Sequence, residues 1–232
     1  KLTWPGTWVT RAGVDRTPAI PAHEVAGIVT EVRYGTTGFA VGDRVVGLTD
    51  WHRDGAAAEF VAVEARNLVP IPDGLDDLTA AALPVSGLTA WQGLFTHGRL
   101  TAGQTVLIHG AAGSTGSIAV QLAKAAGARV VGTGRAYDAE PAREAGADVF
   151  LDLTAQPLAD LAERVDLVFD TVGGDVLAAS AGVVAEGGAI VSITAPPPEV
   201  PVGVRALVFI VEPDRDQLSE LVRRAAAGGI QA

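Results

Sequence analysis

The chain has 232 residues, 48% of them hydrophobic and 19% charged, with 28 glycines and a formal net charge of −10. That composition fits one large globular domain or two modest ones. The acidic balance argues against broad nucleic-acid binding, which needs a basic surplus to neutralise phosphates. With no cysteine in the sequence, a disulfide framework, a thiolate zinc site and a cysteine nucleophile are all excluded within these residues.

In chain order, the first third carries short β-branched runs between turn signals. Ile28-Val29-Thr30-Glu31-Val32, Asp43-Arg44-Val45-Val46-Gly47-Leu48 and Glu59-Phe60-Val61-Ala62-Val63 predict strands of an all-β or barrel-like domain. Leu78 to Leu83, after the turn Pro72-Asp73-Gly74, is the one helical stretch expected there. The composition changes near Pro84 to Leu88, and from Thr105 onward strands and helices alternate.

Strands are predicted at Thr105–His109, Arg129–Gly132, Val149–Leu151, Leu167–Asp170, Ala189–Ile193 and Ala206–Val211. Helices are predicted at Ser117–Ala126, Ala139–Ala145, Asp175–Val184 and Arg215–Ala226. Such alternation implies an α/β fold with a parallel sheet, and six strands match the doubly wound Rossmann architecture. The longest stretch free of formal charge, Leu100 to Ala123, contains Gln104, His109, Gln121 and a glycine-rich middle. It reads as strand, turn and helix, not as a membrane span. No leader is visible at the N-terminus, so the expected location is cytoplasmic.

The segment Gly110-Ala111-Ala112-Gly113-Ser114-Thr115-Gly116 lies between a predicted strand and a predicted helix. A diphosphate needs backbone N–H groups aimed at it, a close approach free of side chains, and a helix dipole behind. Gly113 permits the approach and Gly116 lets the helix pack on its strand, so this turn is expected to bind a dinucleotide. NAD-binding folds place an acid at the end of the second strand to accept from the ribose 2′-OH. Here that segment is Val131-Gly132-Thr133-Gly134-Arg135, with no acid before Asp138. Arg135 pairs well with a 2′-phosphate and Thr133 is a second donor, so NADP(H) is the expected cofactor. Val172, Ile193 and the run Phe209-Ile210-Val211 fall at the carboxyl edge of the sheet, where they are expected to wall the ribose and nicotinamide.

These residues, taken together, resemble the medium-chain dehydrogenase/reductase superfamily, in its zinc-independent quinone oxidoreductase (zeta-crystallin-like) branch. Ile20-Pro21-Ala22-His23-Glu24-Val25-Ala26-Gly27 is similar to the family's His-Glu segment, with Ala22 in place of a glycine. Val41-Gly42-Asp43-Arg44-Val45, Gly55-Ala56-Ala57-Ala58-Glu59-Phe60, Leu83 to Trp91 and Asp170-Thr171-Val172-Gly173-Gly174 follow in the family's order. The resemblance implies a GroES-like catalytic domain over 1–87 that lacks the family's opening strands. It further implies a Rossmann NADP-binding domain over 88–227, with 228–232 starting the return to the catalytic domain. It puts Thr89 beside the nicotinamide and draws Trp4-Pro5-Gly6-Thr7-Trp8 toward the substrate cleft.

Zinc members of the superfamily use a cysteine, the His of the His-Glu segment and a further ligand. His23 alone does not make such a site, even with His52 nearby, so a structural His23 and no metal are expected. Without a Lewis acid, conjugated acceptors are the easier substrates, since conjugation activates the carbon that takes the hydride. The expected activity is therefore NADPH-dependent reduction of a quinone or an enone or enal double bond, on a small molecule. No proton donor stands out. Alternatives are an alcohol dehydrogenase with an incomplete metal site, and a non-catalytic NADP(H)-binding sensor or structural protein. The resemblance also implies a homodimer through the edge strand Ala206–Val211.

Overall fold

The computed structural model describes residues 10–11, 14–15, 20–51, 53–161 and 163–232. The chain divides into two compact units, residues 1–85 with 213–226, and residues 86–212 with 227–232.

In the first unit, β1 (Thr10–Arg11) and β2 (Val14–Asp15) pair antiparallel. A second sheet joins β3 (Glu24–Ile28), β4 (Arg44–Leu48) and β5 (Leu68–Pro70), all antiparallel. The register Glu24↔Leu48 to Ile28↔Arg44 places β3 ahead of the run expected at Ile28–Val32. Val29 still exchanges backbone bonds with Gly42 and Asp43, but residues 30–32 lie past the end of that pairing, so the strand propensity of Thr30 and Val32 finds no ladder. The strand expected over Glu59–Val63 is likewise absent, its residues running as bends and irregular chain with Phe60 74% exposed. Helix α1 (Asp77–Ala81) is capped by Asp76, whose carboxylate accepts from the N–H groups of Leu78 and Thr79.

Helix α2 (Pro84–Trp91) continues as a π-helical turn over Gln92–His97. Six parallel strands follow: β6 (Thr105–His109), β7 (Arg129–Gly134), β8 (Val149–Asp152), β9 (Val165–Asp170), β10 (Val184–Ser192) and β11 (Arg205–Val208). Their spatial order is β11-β10-β9-β6-β7-β8, the doubly wound arrangement with its reversal between β6 and β9. Helices α3 (Ser114–Ala125), α4 (Ala139–Glu144) and α5 (Gly174–Ala179) connect these strands. Helix α6 (Arg215–Ala226) follows the last strand and groups with the first unit.

Sheet interiors such as Val106-Leu107-Ile108 and Leu167-Val168-Phe169 are buried without alternation, as expected of strands covered on both faces. On one face Leu107, Val131, Val168 and Ile190 cluster with Leu158 and Leu177. On the other, Phe169 packs so closely on the π-helical turn that a Cβ on Gly93 would lie 2.7 Å from its Cζ.

Several boundaries differ from expectation, among them β10, which runs Val184–Ser192 where Ala189–Ile193 is predicted. Helix α3 begins at Ser114, earlier than Ser117, because Gly113 has the extended φ of −73° and ψ of 167° of an N-cap. The helix expected over Asp175–Val184 stops at Ala179, and Val184 pairs with Val165 in the sheet instead. Strand β11 ends at Val208, short of Val211.

Candidate functional site

Strand β6 delivers the chain to the glycine turn with a left-handed bend at Gly110, whose φ is +74°. The Gly110 and Ala111 N–H groups both donate to the Thr133 carbonyl at 3.1 Å, which ties the turn to β7. Gly113 N–H donates back to the Gly110 carbonyl at 2.9 Å. That carbonyl lies directly under α3, where a Cβ on Gly116 would enter its van der Waals sphere. Ala111 and Gly116 are buried and hold the turn on its strand; Ala112, Gly113, Ser114 and Thr115 lie on its accessible side. Among the described residues no side chain caps α3. The N–H groups of its first turn therefore have no intrahelical acceptor, and the positive end of the helix dipole is there. This cradle fits a diphosphate: a side-chain-free approach backed by unused donors.

At the end of β7 the expected pair splits. Thr133 is buried, its hydroxyl 2.8 Å from His109 Nδ1, so it faces the interior and not a 2′-phosphate. Its contribution is the backbone carbonyl that anchors the turn. Arg135 is exposed, and its Nη1 donates to Tyr137 Oη at 2.6 Å while the guanidinium stands 5.9 Å from that ring's centroid. Asp138 turns its carboxylate back to accept the Arg135 N–H at 2.8 Å. It comes so near Gly134 that a Cβ there would lie 2.8 Å from Oδ2. The acid at this strand end thus acts as a cap on the backbone, while the cation projects outward.

Two polar groups, neither of them expected as site residues, organise the region under the turn. His109 is fully buried, between Thr133 Oγ1 at 2.8 Å and Ser180 Oγ at 2.9 Å. The Ser180 hydroxyl donates to the Val176 carbonyl. It must then accept from Nε2–H, which leaves Nδ1 to accept from Thr133. The ring is neutral, its pKa pushed down to about 4 by burial against the opposing pull of the Asp170 charge. Asp170, also fully buried, ends β9 and accepts four hydrogen bonds, from Val172 N, Gly173 N, Ser192 Oγ and Thr194 Oγ1. The signal for both is present in the sequence: a polar residue closing an apolar run, His109 after Val106-Leu107-Ile108 and Asp170 after Leu167-Val168-Phe169.

Because β10, β9 and β6 are neighbours, the segments after them emerge side by side with the glycine turn at one sheet edge. Val172 is 53% exposed there. Ile193 is half-buried and donates its N–H to the Asp170 carbonyl at 3.1 Å. Phe209 is half-buried with its ring 4.6 Å from that of His97, whereas Val211 is buried and belongs to the core. Thr89 is buried on α2.

In the first unit, His23 Nδ1 is 2.8 Å from Thr49 Oγ1 and its ring lies 4.4 Å from that of Trp51. Glu24 Oε1 accepts the Val85 N–H at 2.8 Å. Ala22, in the place of a glycine, does hold a left-handed φ of 66°. Among the described residues no three His, Cys, Asp or Glu side chains gather as metal ligands. Nor is any helix among them long and apolar enough to cross a membrane. His52 and the segment Trp4 to Trp8 lie outside the described residues.

Residues 3–73 match the family described as alcohol dehydrogenase GroES-like domain, and residues 114–212 match zinc-binding dehydrogenase. The chain is 32% identical to the NADPH-dependent alkenal/one oxidoreductase, chloroplastic, of Arabidopsis thaliana, over 88% of this chain and 53% of that protein. The chain spans about half the length of the curated relatives it matches first, 53% in each case. Among solved structures, the quinone oxidoreductase from Coxiella burnetii superposes with a TM-score of 0.83 at 27% identity, covering 91% of this chain and 70% of that one. An alcohol dehydrogenase superfamily protein from Novosphingobium aromaticivorans does so with a TM-score of 0.82 at 33% identity, covering 92% and 71%.

Proposed function

Since the chain belongs to the medium-chain dehydrogenase/reductase superfamily, in its zinc-independent quinone oxidoreductase branch, we propose that it is an NADPH-dependent reductase of quinones or of enone and enal double bonds. The observation that carries the reading is the uncapped start of α3 behind the glycine turn, together with an exposed Arg135 at the end of β7. The first holds a diphosphate through the backbone at 112–116. The second pairs with a 2′-phosphate, while Asp138 is engaged as a backbone cap. When bound, the reduced nicotinamide supplies the hydride. Val172, Ile193 and Phe209 wall that end of the site in this reading, and Thr89 stands beside it; Val211 supports the wall from the core.

A metal-free mechanism is part of the proposal. The chain has no cysteine, and His23 is held by a hydroxyl and an indole in its own unit. A small conjugated acceptor suits this donor set, because it needs no Lewis acid. The relative that is an NADPH-dependent alkenal/one oxidoreductase supports the same substrate class. The reading also includes residues 1–87 as catalytic domain and 88–227 as nucleotide domain, a cytoplasmic location, and a homodimer through β11.

The test is NADPH and NADH titration followed by oxidation of NADPH with a panel of quinones, enones and enals. Expected are preference for NADPH and turnover on part of the panel without added metal. Arg135→Ala should cut the preference by roughly tenfold to a hundredfold, the worth of one or two charge-assisted bonds. Tighter NADH binding refutes the cofactor assignment. Tight NADPH binding without turnover supports a sensor or structural protein instead, and zinc at one ion per chain supports the alcohol dehydrogenase alternative.

A further inference from the structure

We infer that Asp170 is a positioning residue for the nicotinamide half of the cofactor site, fixing the two segments that wall it. The inference rests on the dinucleotide reading above and names how one half of that site is built.

The carboxylate ends β9 with no exposed surface. Burying a charge is costly unless it is fully hydrogen-bonded, and the sheet's packing alone would be served by an apolar residue. What the charge does is visible in its partners. Oδ1 accepts the N–H groups of Val172 at 3.1 Å and Gly173 at 2.9 Å, fixing the turn after β9. Oδ2 accepts the hydroxyls of Ser192 at 2.7 Å and Thr194 at 3.1 Å, fixing the segment after β10. Ser192 Oγ in turn accepts the Thr194 N–H at 3.0 Å. The two segments also touch, since a Cβ on Gly173 would lie 2.6 Å from Thr194 Oγ1. One carboxylate therefore joins two neighbouring loops at the sheet edge.

In a doubly wound sheet each half serves one nucleotide. The glycine turn and Arg135 belong to the half formed by β6, β7 and β8, whereas Asp170 and its partners belong to the half formed by β9, β10 and β11. Asp170 itself is buried and does not touch a ligand. It acts through Val172, Gly173 and Ile193. Loss of the carboxylate should leave the adenosine half anchored, because the turn at 110–113 stays tied to the Thr133 carbonyl and the bond from the Thr171 hydroxyl to the His109 carbonyl does not use the carboxylate.

The experiment compares two probes on wild type, Asp170→Ala and Asp170→Asn: NADPH, and adenosine 2′,5′-bisphosphate, which lacks the nicotinamide half. Asp170→Ala should weaken NADPH roughly tenfold or more, the worth of unsatisfied buried donors, and change bisphosphate affinity by less than about twofold. Asp170→Asn keeps Oδ1 as acceptor for the two N–H groups and presents an amide to two hydroxyls able to accept. It should recover NADPH affinity to within about threefold of wild type. If Asp170→Ala fails to fold, Ser192→Ala leaves the carboxylate in place and removes one of its two bonds to the second segment, the Thr194 hydroxyl keeping the other. It should give the same selective loss at roughly threefold. Equal weakening of both probes, or no change in either, overturns the positioning role while leaving the dinucleotide reading intact. A wild-type protein that binds neither probe overturns both.

Discussion

Alanine at Gly116 and alanine at Gly113 should fail in different ways, although the two glycines lie three residues apart in one turn. A Cβ on Gly116 would lie 2.8 Å from the Gly110 carbonyl carbon and 3.0 Å from Ala111 Cα, with the Gly110 carbonyl oxygen nearer still. Comfortable carbon–carbon separations are about 3.5–4.0 Å, so the backbone must retreat by roughly 0.5–1 Å. It is poorly able to do so, because both N–H groups of the turn are held by the Thr133 carbonyl. Overpacking of this kind costs about 1–3 kcal/mol, offset by up to about 1 kcal/mol of helix propensity. For a chain of this size a net loss of about 1–2 kcal/mol corresponds to a melting temperature lowered by roughly 2–8 °C. Gly113 is different: its φ of −73° suits any residue, and a Cβ would stand 3.3 Å from the Gly110 oxygen. Gly113→Ala should therefore cost less than about 1 kcal/mol of stability. Its methyl, however, occupies the approach to the N–H groups of α3, and loss of one charge-assisted bond weakens NADPH roughly tenfold to a hundredfold. Thermal melts paired with fluorescence titration of NADPH read both quantities. Wild-type affinity in Gly113→Ala, or a wild-type melting temperature in Gly116→Ala, would refute the assigned division between approach and packing.

The buried His109 sets a pH dependence of stability. The unfolded chain takes its proton near pH 6.5 and the folded chain only near 4, so up to about 3 kcal/mol is lost as pH falls through that window and is fully present above it. Denaturant unfolding at pH 7.5 and pH 4.5 should show a steeper loss for wild type than for His109→Asn; parallel losses would remove His109 as the cause. Gly93→Ala drives a methyl to 2.7 Å from Phe169 Cζ and should destabilise by about 1–3 kcal/mol. Phe169→Leu in the same chain should recover part of that loss, and strict additivity in the double-mutant cycle would show the contact to be irrelevant.

The six parallel strands are legible because strands buried on both faces carry apolar runs, and because α-helices separate three of the five consecutive strand pairs. The glycine turn was legible for a related reason, since its spacing answers to backbone geometry more than to partners elsewhere in the chain. Where the sequence misled, pairing had overridden local preference. Val184 has the look of a helix's last turn, but β9 recruits it through Val165. Residues 29–32 have strand propensity, yet the register of β3 with β4 ends at Ile28. Thr133 reads as a ligand donor because it stands two residues before Arg135 at the end of the second strand. Its hydroxyl is committed to His109, a residue 24 positions away.

Composition, periodicity and glycine spacing alone thus determined the fold class, the place of the turn and the presence of a cation at the end of the second strand. Each is a property of a few consecutive residues. Which side chains face the turn and which face the core was decided only by tertiary structure. The hydroxyl of Thr133, the ring of His109 and the carboxylate of Asp170 each find partners on other strands or helices. A buried polar group must be satisfied wherever its partners lie, and no local pattern records that distance.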